Sequence, residues 1–173
     1  MKRTKYLLTS LVVTMFLISC GGKEEKKKEG FSYEKSDASK DKEVKAEDDI
    51  ATLVIAGDDL MKFDKTELRA KAGKKVKLTL RHKGKLDINV MGHNLVILKK
   101  GVNIIDFTAR AATSKDTGYI PEGSENEIIA HTEMIGGGQT SSIEFNAPEA
   151  GVYDFICSFP GHSALMKGKF IVE

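Results

Sequence analysis

The stretch "VYDFICSFPGHSALMKGKFIVE", Val152 to Glu173, sets two apolar runs on either side of a short loop. "VYDFICS" (152–158) and "GKFIVE" (168–173) are rich in Val, Ile and Phe and read as strands. Between them come a thiol at Cys157, an imidazole at His162 and a thioether at Met166. Similar runs lie upstream: "ATLVIA" (51–56), "VKLTLRH" (76–82), "INVMGHNLVIL" (88–98), "IIAHTEMI" (128–135) and "SSIEFNA" (141–147). Leu78, Leu80 and His82 share one face of their run, as do Ile143 and Phe145 of theirs. This two-residue period predicts antiparallel sheet with one side buried. Residues 101–123 differ: Ile104, Ile105, Thr108, Ala111 and Ala112 stand at helical spacing, which predicts one short helix inserted between strands. Seven or eight short strands in about 124 residues point to an all-β, two-sheet sandwich over residues 50–173.

The loop carries the chemistry. Free cysteine is among the most buried residue types, so Cys157 at the end of an apolar strand reads first as core. It is, however, the one cysteine of residues 50–173, and His162 and Met166 follow it closely. Met is a poor zinc ligand. A thiol hydrolase needs a base and an oxyanion hole, and a Cys–His pair alone leaves that reading open. A soft thiolate, a thioether and imidazoles suit copper best: two His and one Cys with a distant Met is the blue-copper arrangement. The second imidazole must come from elsewhere, and "MGHNLVIL" offers His93 at the head of an apolar run.

The segments "MGHN" (91–94), "IIAHTEMIGGG" (128–138) and "CSFPGHSALMKG" (157–168) closely resemble the azurins, bacterial blue-copper cupredoxins, and their auracyanin-type relatives. The resemblance spans roughly residues 75–173 and implies a Greek-key cupredoxin sandwich holding one copper ion that cycles between Cu(II) and Cu(I). It implies His93, Cys157 and His162 as strong ligands, Met166 as a weak axial ligand, and the carbonyl of Gly92 approaching from the other side. Glycine suits that approach because it has no side chain. Asn94, Ser158, Phe159 and Pro160 would surround the ligands. Asn94 would bridge to the ligand loop, and the amides of Asn94 and Phe159 would donate to the sulfur, whereas Pro160 has no N–H to give. Leu86, Met91, Phe159, Pro160, Gly161 and Ala164 match an apolar docking face for redox partners such as cytochromes or terminal reductases and oxidases. His82 matches a buried histidine near the site, and His131 reads as a surface residue. Azurins usually carry a disulfide near the start of the domain; no cysteines for it occur here, so packing alone is expected to hold the front strand, residues 50–74.

The reading is therefore an electron carrier rather than an enzyme, since a copper held by four or five protein groups keeps no open position for substrate. Four histidines and one domain cysteine leave no material for further copper centres. Two rivals use the same residues: a copper buffer or delivery lipoprotein, and a thiol enzyme built on Cys157 and His162.

The front of the chain adds a location. "MKRTK" is basic, and "YLLTSLVVTMFLIS" is apolar but shorter than the roughly 20 residues of a membrane span. Residues 1–19 read as an export signal. "LISCGG" resembles the lipobox of bacterial lipoproteins, which implies cleavage before Cys20, a lipid on its sulfur and membrane attachment in the bacterial cell envelope, periplasmic or surface-facing. Losing Lys2, Arg3 and Lys5 from the 27 basic residues leaves 24 against 25 acidic, a charge near −1, with no nucleic-acid footprint. In residues 21–49, 18 of 29 residues are charged with signs mixed, which predicts a disordered tether. Such a coil would span roughly 30 Å, or about 100 Å at full stretch. A monomer is expected.

Overall fold

The structure is a computed structural model in which residues 50–173 are described. They fall within one compact unit, Glu43–Glu173. The expected signal segment, Cys20 and tether lie outside the described residues.

Among the described residues, eight strands make two sheets. β1 (Ile50–Gly57), β3 (Lys75–His82) and β6 (Thr140–Asn146) form the first, in the order β1-β3-β6. β2 (Glu67–Ala70), β8 (Lys167–Val172), β7 (Gly151–Ile156), β4 (Val96–Leu98) and β5 (Ile128–His131) form the second, in that order. Strand alternation builds the core between them. β3 turns Val76, Leu78, Leu80 and His82 inward and Lys75, Lys77 and Arg81 out. Val76, Leu78 and Leu80 meet Leu68, Ile97, Tyr153, Phe155, Phe170 and Val172 of the second sheet. Phe155 and Phe170 are fully buried, each contributing about 1.5–3 kcal/mol of transfer free energy.

The inserted helix appears as α2 (Ile104–Ala111). Asn103 caps it, its side chain accepting from the Ile105 N–H at 2.9 Å. Phe107 and Ala111 pack on Val96, Leu98 and Ile156, the outer face of the second sheet. β4 is therefore buried on both faces and reads as an unbroken apolar run.

Three expectations are corrected. First, the sheets are mixed: β1 pairs with β3, and β2 with β8, in parallel. Side-chain alternation reports which face is buried and is blind to strand direction. Second, residues 88–98 are not one strand. Asp87 accepts from the Asn89 N–H at 2.8 Å and caps a single helical turn, α1 (Ile88–Met91), so that β4 starts only at Val96. Third, β2 was not anticipated; "ELRA" buries just Leu68 and Ala70, too little apolar signal to register. The front strand, expected to depend on packing alone, also has an eight-residue ladder from Ile50↔Lys75 to Gly57↔His82.

Candidate metal centre

Three segments meet at one end of the sandwich. β7 delivers Cys157 just past its last residue. The loop 158–161 then turns at Gly161, whose φ of 81° favours glycine, and a 3₁₀ turn, His162–Ala164, brings His162 back. The loop is tied by Cys157 N–H to the Met166 carbonyl at 2.9 Å and by Met166 N–H to the His162 carbonyl at 2.7 Å. From the other side the segment after α1 supplies Gly92, His93 and Asn94, with His93 and Ile135 exchanging backbone hydrogen bonds at 2.9 and 2.8 Å.

The ligand-capable atoms of His93, Cys157 and His162 all lie within 4.8 Å of one another, and all three residues are buried. Cys157 Sγ is 3.7 Å from His162 Nδ1 and 3.9 Å from the Gly92 oxygen. His93 Nε2–H donates to the Asp58 carbonyl at 2.8 Å, leaving the lone pair on Nδ1. That Nδ1 is buried and is the one such side-chain atom among the described residues without a hydrogen-bond partner. Met166 is fully buried as well. A Cβ on Gly57 would fall 2.7 Å from His93 Cδ2 and 3.1 Å from Met166 Cε, so the thioether and the imidazole close on one small space.

Asn94 locks the two sides together. Its Nδ2 donates to Ser158 Oγ at 2.8 Å and its Oδ1 accepts the Ser158 N–H at 2.9 Å. A Cβ on Gly92 would meet the Ile88 carbonyl at 2.5 Å and Phe159 Cδ2 at 2.9 Å, so the packing of this segment against α1 and the ligand loop requires glycine.

The electrostatics fit a cation. Burial pushes the Cys157 thiol up to about 11, against the opposing pull of the Asn94 and Phe159 amides that hydrogen-bond it. Burial, then the neighbouring His93 and His82, pushes His162 down to about 4. Burial also lowers His93. At neutral pH the pocket thus holds two neutral imidazoles with available lone pairs and a protonated thiol. A soft metal would displace that proton, as thiolate ligation requires.

Each sequence candidate finds a definite place. Gly92, His93, Cys157, His162 and Met166 converge, with Asn94 and Ser158 beside them. Of the proposed docking face, Leu86, Pro160, Gly161 and Ala164 are exposed, and Met91 and Phe159 are half-buried. Phe159 packs against His162 with ring centres 4.5 Å apart and planes tilted by 37°. His131 is exposed. His82 is buried and stacks on His93, ring centres 4.2 Å apart and planes 14° apart. Sequence reading missed the end of β1 and the loop after it, whose Gly57 and Asp58 touch His93. The Asp58 carbonyl acts from 35 residues away in sequence, and no residue-type pattern marks that. No helix among the described residues is long and apolar enough to cross a membrane.

Comparison with known proteins gives the same picture. The profile of the copper-binding plastocyanin/azurin family matches residues 50–173. The chain is similar to azurin-1 of Alcaligenes xylosoxydans xylosoxydans, 42% identical over 118 residues, covering 66% of this chain and 91% of that protein. The azurin of Pseudomonas denitrificans is 41% identical over 123 residues, covering 69% and 95%. Among solved structures, auracyanin A, a "blue" copper protein from Chloroflexus aurantiacus, superposes with a TM-score of 0.66 at 30% identity, covering 72% of this chain and 99% of that one.

Proposed function

Because the chain belongs to the plastocyanin/azurin family of copper-binding proteins, we propose that it is a one-electron carrier of the bacterial cell envelope, with a single blue-copper site made of the five converging residues. When bound, the copper ion supplies the Cu(II)/Cu(I) couple. The chain's part is to hold the donors. Cys157, having given up its proton, and the Nδ1 atoms of His93 and His162 are the strong ligands. Met166 and the Gly92 carbonyl are the weak ones. Asn94 and Ser158 tie the segment carrying His93 to the loop that follows Cys157, and the amides of Asn94 and Phe159 stabilise charge on the sulfur. The unpartnered Nδ1 of His93, aimed at the thiol and the second imidazole, is the observation that carries this reading.

The rival readings lose support from burial. A thiol held near 11 and fully buried is a poor nucleophile, which argues against an enzyme using Cys157 and His162. Ligands buried on three packed segments and tied by backbone hydrogen bonds suit retention more than delivery. The exposed residues Gly161 and Ala164 flank His162 in sequence and, with exposed Leu86, suit brief docking of a redox protein, with lipid attachment at Cys20 keeping the carrier at a membrane.

The test is direct. Copper(II) added to the purified protein should produce an intense visible thiolate-to-copper absorption that vanishes on reduction, and Cys157→Ala should stay colourless. A copper-loaded wild-type protein without that band refutes the carrier reading. Metabolic labelling with a radioactive fatty acid tests Cys20: label should enter the wild type and not Cys20→Ala.

A further inference from the structure

The loop between β1 and β2 does more than touch His93. Asp58 Oδ1 accepts from the N–H groups of Leu60 (2.9 Å) and Lys62 (3.2 Å), folding the loop so that the Asp58 carbonyl faces the His93 ring edge. The next side chain points elsewhere. Asp59 accepts from the Lys85 N–H at 2.7 Å and the Leu86 N–H at 3.3 Å, 26 and 27 residues on. Between the Asp59 carboxylate and the His82 ring lies Gly84: a Cβ there would overlap the carboxylate and would fall 2.6 Å from His82 Cε1. Gly84 N–H donates to His82 Nδ1 at 3.0 Å, which forces the His82 proton onto Nε2, where it donates to the Met91 carbonyl at 2.8 Å. His82 in turn stacks flat on His93.

We propose that Asp59 is a positioning residue of the metal centre, clamping residues 84–86 against His82 so that His82 backs the face of the His93 ring while the neighbouring Asp58 carbonyl holds its edge. The inference rests on the copper reading for its purpose but not for its geometry. One carboxylate joins the two segments that constrain His93 in different directions. Removing it leaves the Lys85 and Leu86 amides without their acceptor and uncouples the His82 backing from the loop that carries the Asp58 carbonyl. Asparagine at this position keeps one acceptor oxygen. Alanine at Gly84 presses on the same carboxylate from the other side, and because Gly84 needs no left-handed backbone, it does so without a backbone penalty.

Three full-length variants test this: Asp59→Ala, Asp59→Asn and Gly84→Ala. In the copper-free protein, solvent exchange of the His93 Nε2–H is followed by NMR. In the copper-loaded protein, the paramagnetic spectrum and the rate of copper transfer to a chelator are measured. Asp59→Ala and Gly84→Ala should speed both the proton exchange and the copper loss by about 10-fold or more, the range that orienting partners of metal ligands usually show, and should alter the copper hyperfine splitting. Asp59→Asn, which keeps one of the two acceptor oxygens, should fall between Asp59→Ala and wild type. Wild-type exchange, spectrum and copper retention in Gly84→Ala and Asp59→Ala, whatever happens to their melting temperatures, would overturn the proposal. If Asp59→Ala does not fold, Gly84→Ala decides. A wild type that takes up no coloured copper would sink the carrier reading, yet the copper-free NMR comparison would still test the clamp.

Discussion

His93 and His162 are buried as neutral imidazoles and Cys157 as a neutral thiol, so the copper-free protein should be sensitive to pH at both ends of the scale. In the unfolded chain the imidazoles return to their ordinary value of 6.5, whereas His162 stays near 4 when folded. Between those values the unfolded chain binds more protons, so stability falls as pH falls from about 6.5 to about 4. Cys157 acts in the opposite direction: its value rises from 9.0 to about 11 on folding, and stability falls as pH rises through that interval. Melting temperatures of the copper-free protein across pH should therefore trace a plateau with two shoulders. Met166→Leu should keep the colour but shift the reduction potential, measurable by redox titration, because an axial donor is lost without touching the strong ligands. Asn94→Ala strips the buried Ser158 N–H of its acceptor and should cost about 1–3 kcal/mol in a denaturant titration. At this scale the sequence was most legible. Cys157, His162 and Met166 sit on one short loop, so their spacing alone suggests shared chemistry. His93 was reachable because few other imidazoles exist. The Asp58 carbonyl and the Asp59 carboxylate were not, since long-range contacts made through backbone groups leave no mark on residue type.

Among the elements, α2 and the ligand loop illustrate how separate cores divide the work. Phe107 anchors α2 on the outer face of the second sheet, away from the inter-sheet core. Phe107→Ala should cost about 3–5 kcal/mol yet leave the copper absorption unchanged, which thermal unfolding and visible spectra would show together. Gly57→Ala should do the reverse. Its Cβ intrudes between His93 and Met166, so copper affinity should drop sharply by chelator competition with little loss of fold. β3 and β6 were legible from alternation because each has one buried face, whereas β7 and β8 were legible from their β-branched and aromatic composition, β7 being buried on both faces at Phe155 and Ile156. Alternation failed at residues 88–91, where the Asp87 cap overrides β-favouring Ile and Val. Its use to predict antiparallel pairing failed for β1 with β3 and for β2 with β8, which run parallel, because alternation carries no information on strand direction.

Across the whole domain, two sheets share one core and the three ligand-bearing segments converge at one end. Such a scaffold has little reason to move when the metal changes charge, because close-packed interiors resist small displacements. Copper binding should nevertheless raise the melting temperature in proportion to the logarithm of free copper, since the folded chain alone assembles the donors. The direction of β1 has a further result. Gly57 abuts His93, and Ile50 stands seven residues back along an extended strand, about 23 Å away at 3.3 Å per residue. Ile50 and Glu173 line a common groove at that far pole. The chain thus enters the described domain at its blunt end, one strand's length from the metal centre, so a fusion made just ahead of Ile50 should leave copper uptake unchanged.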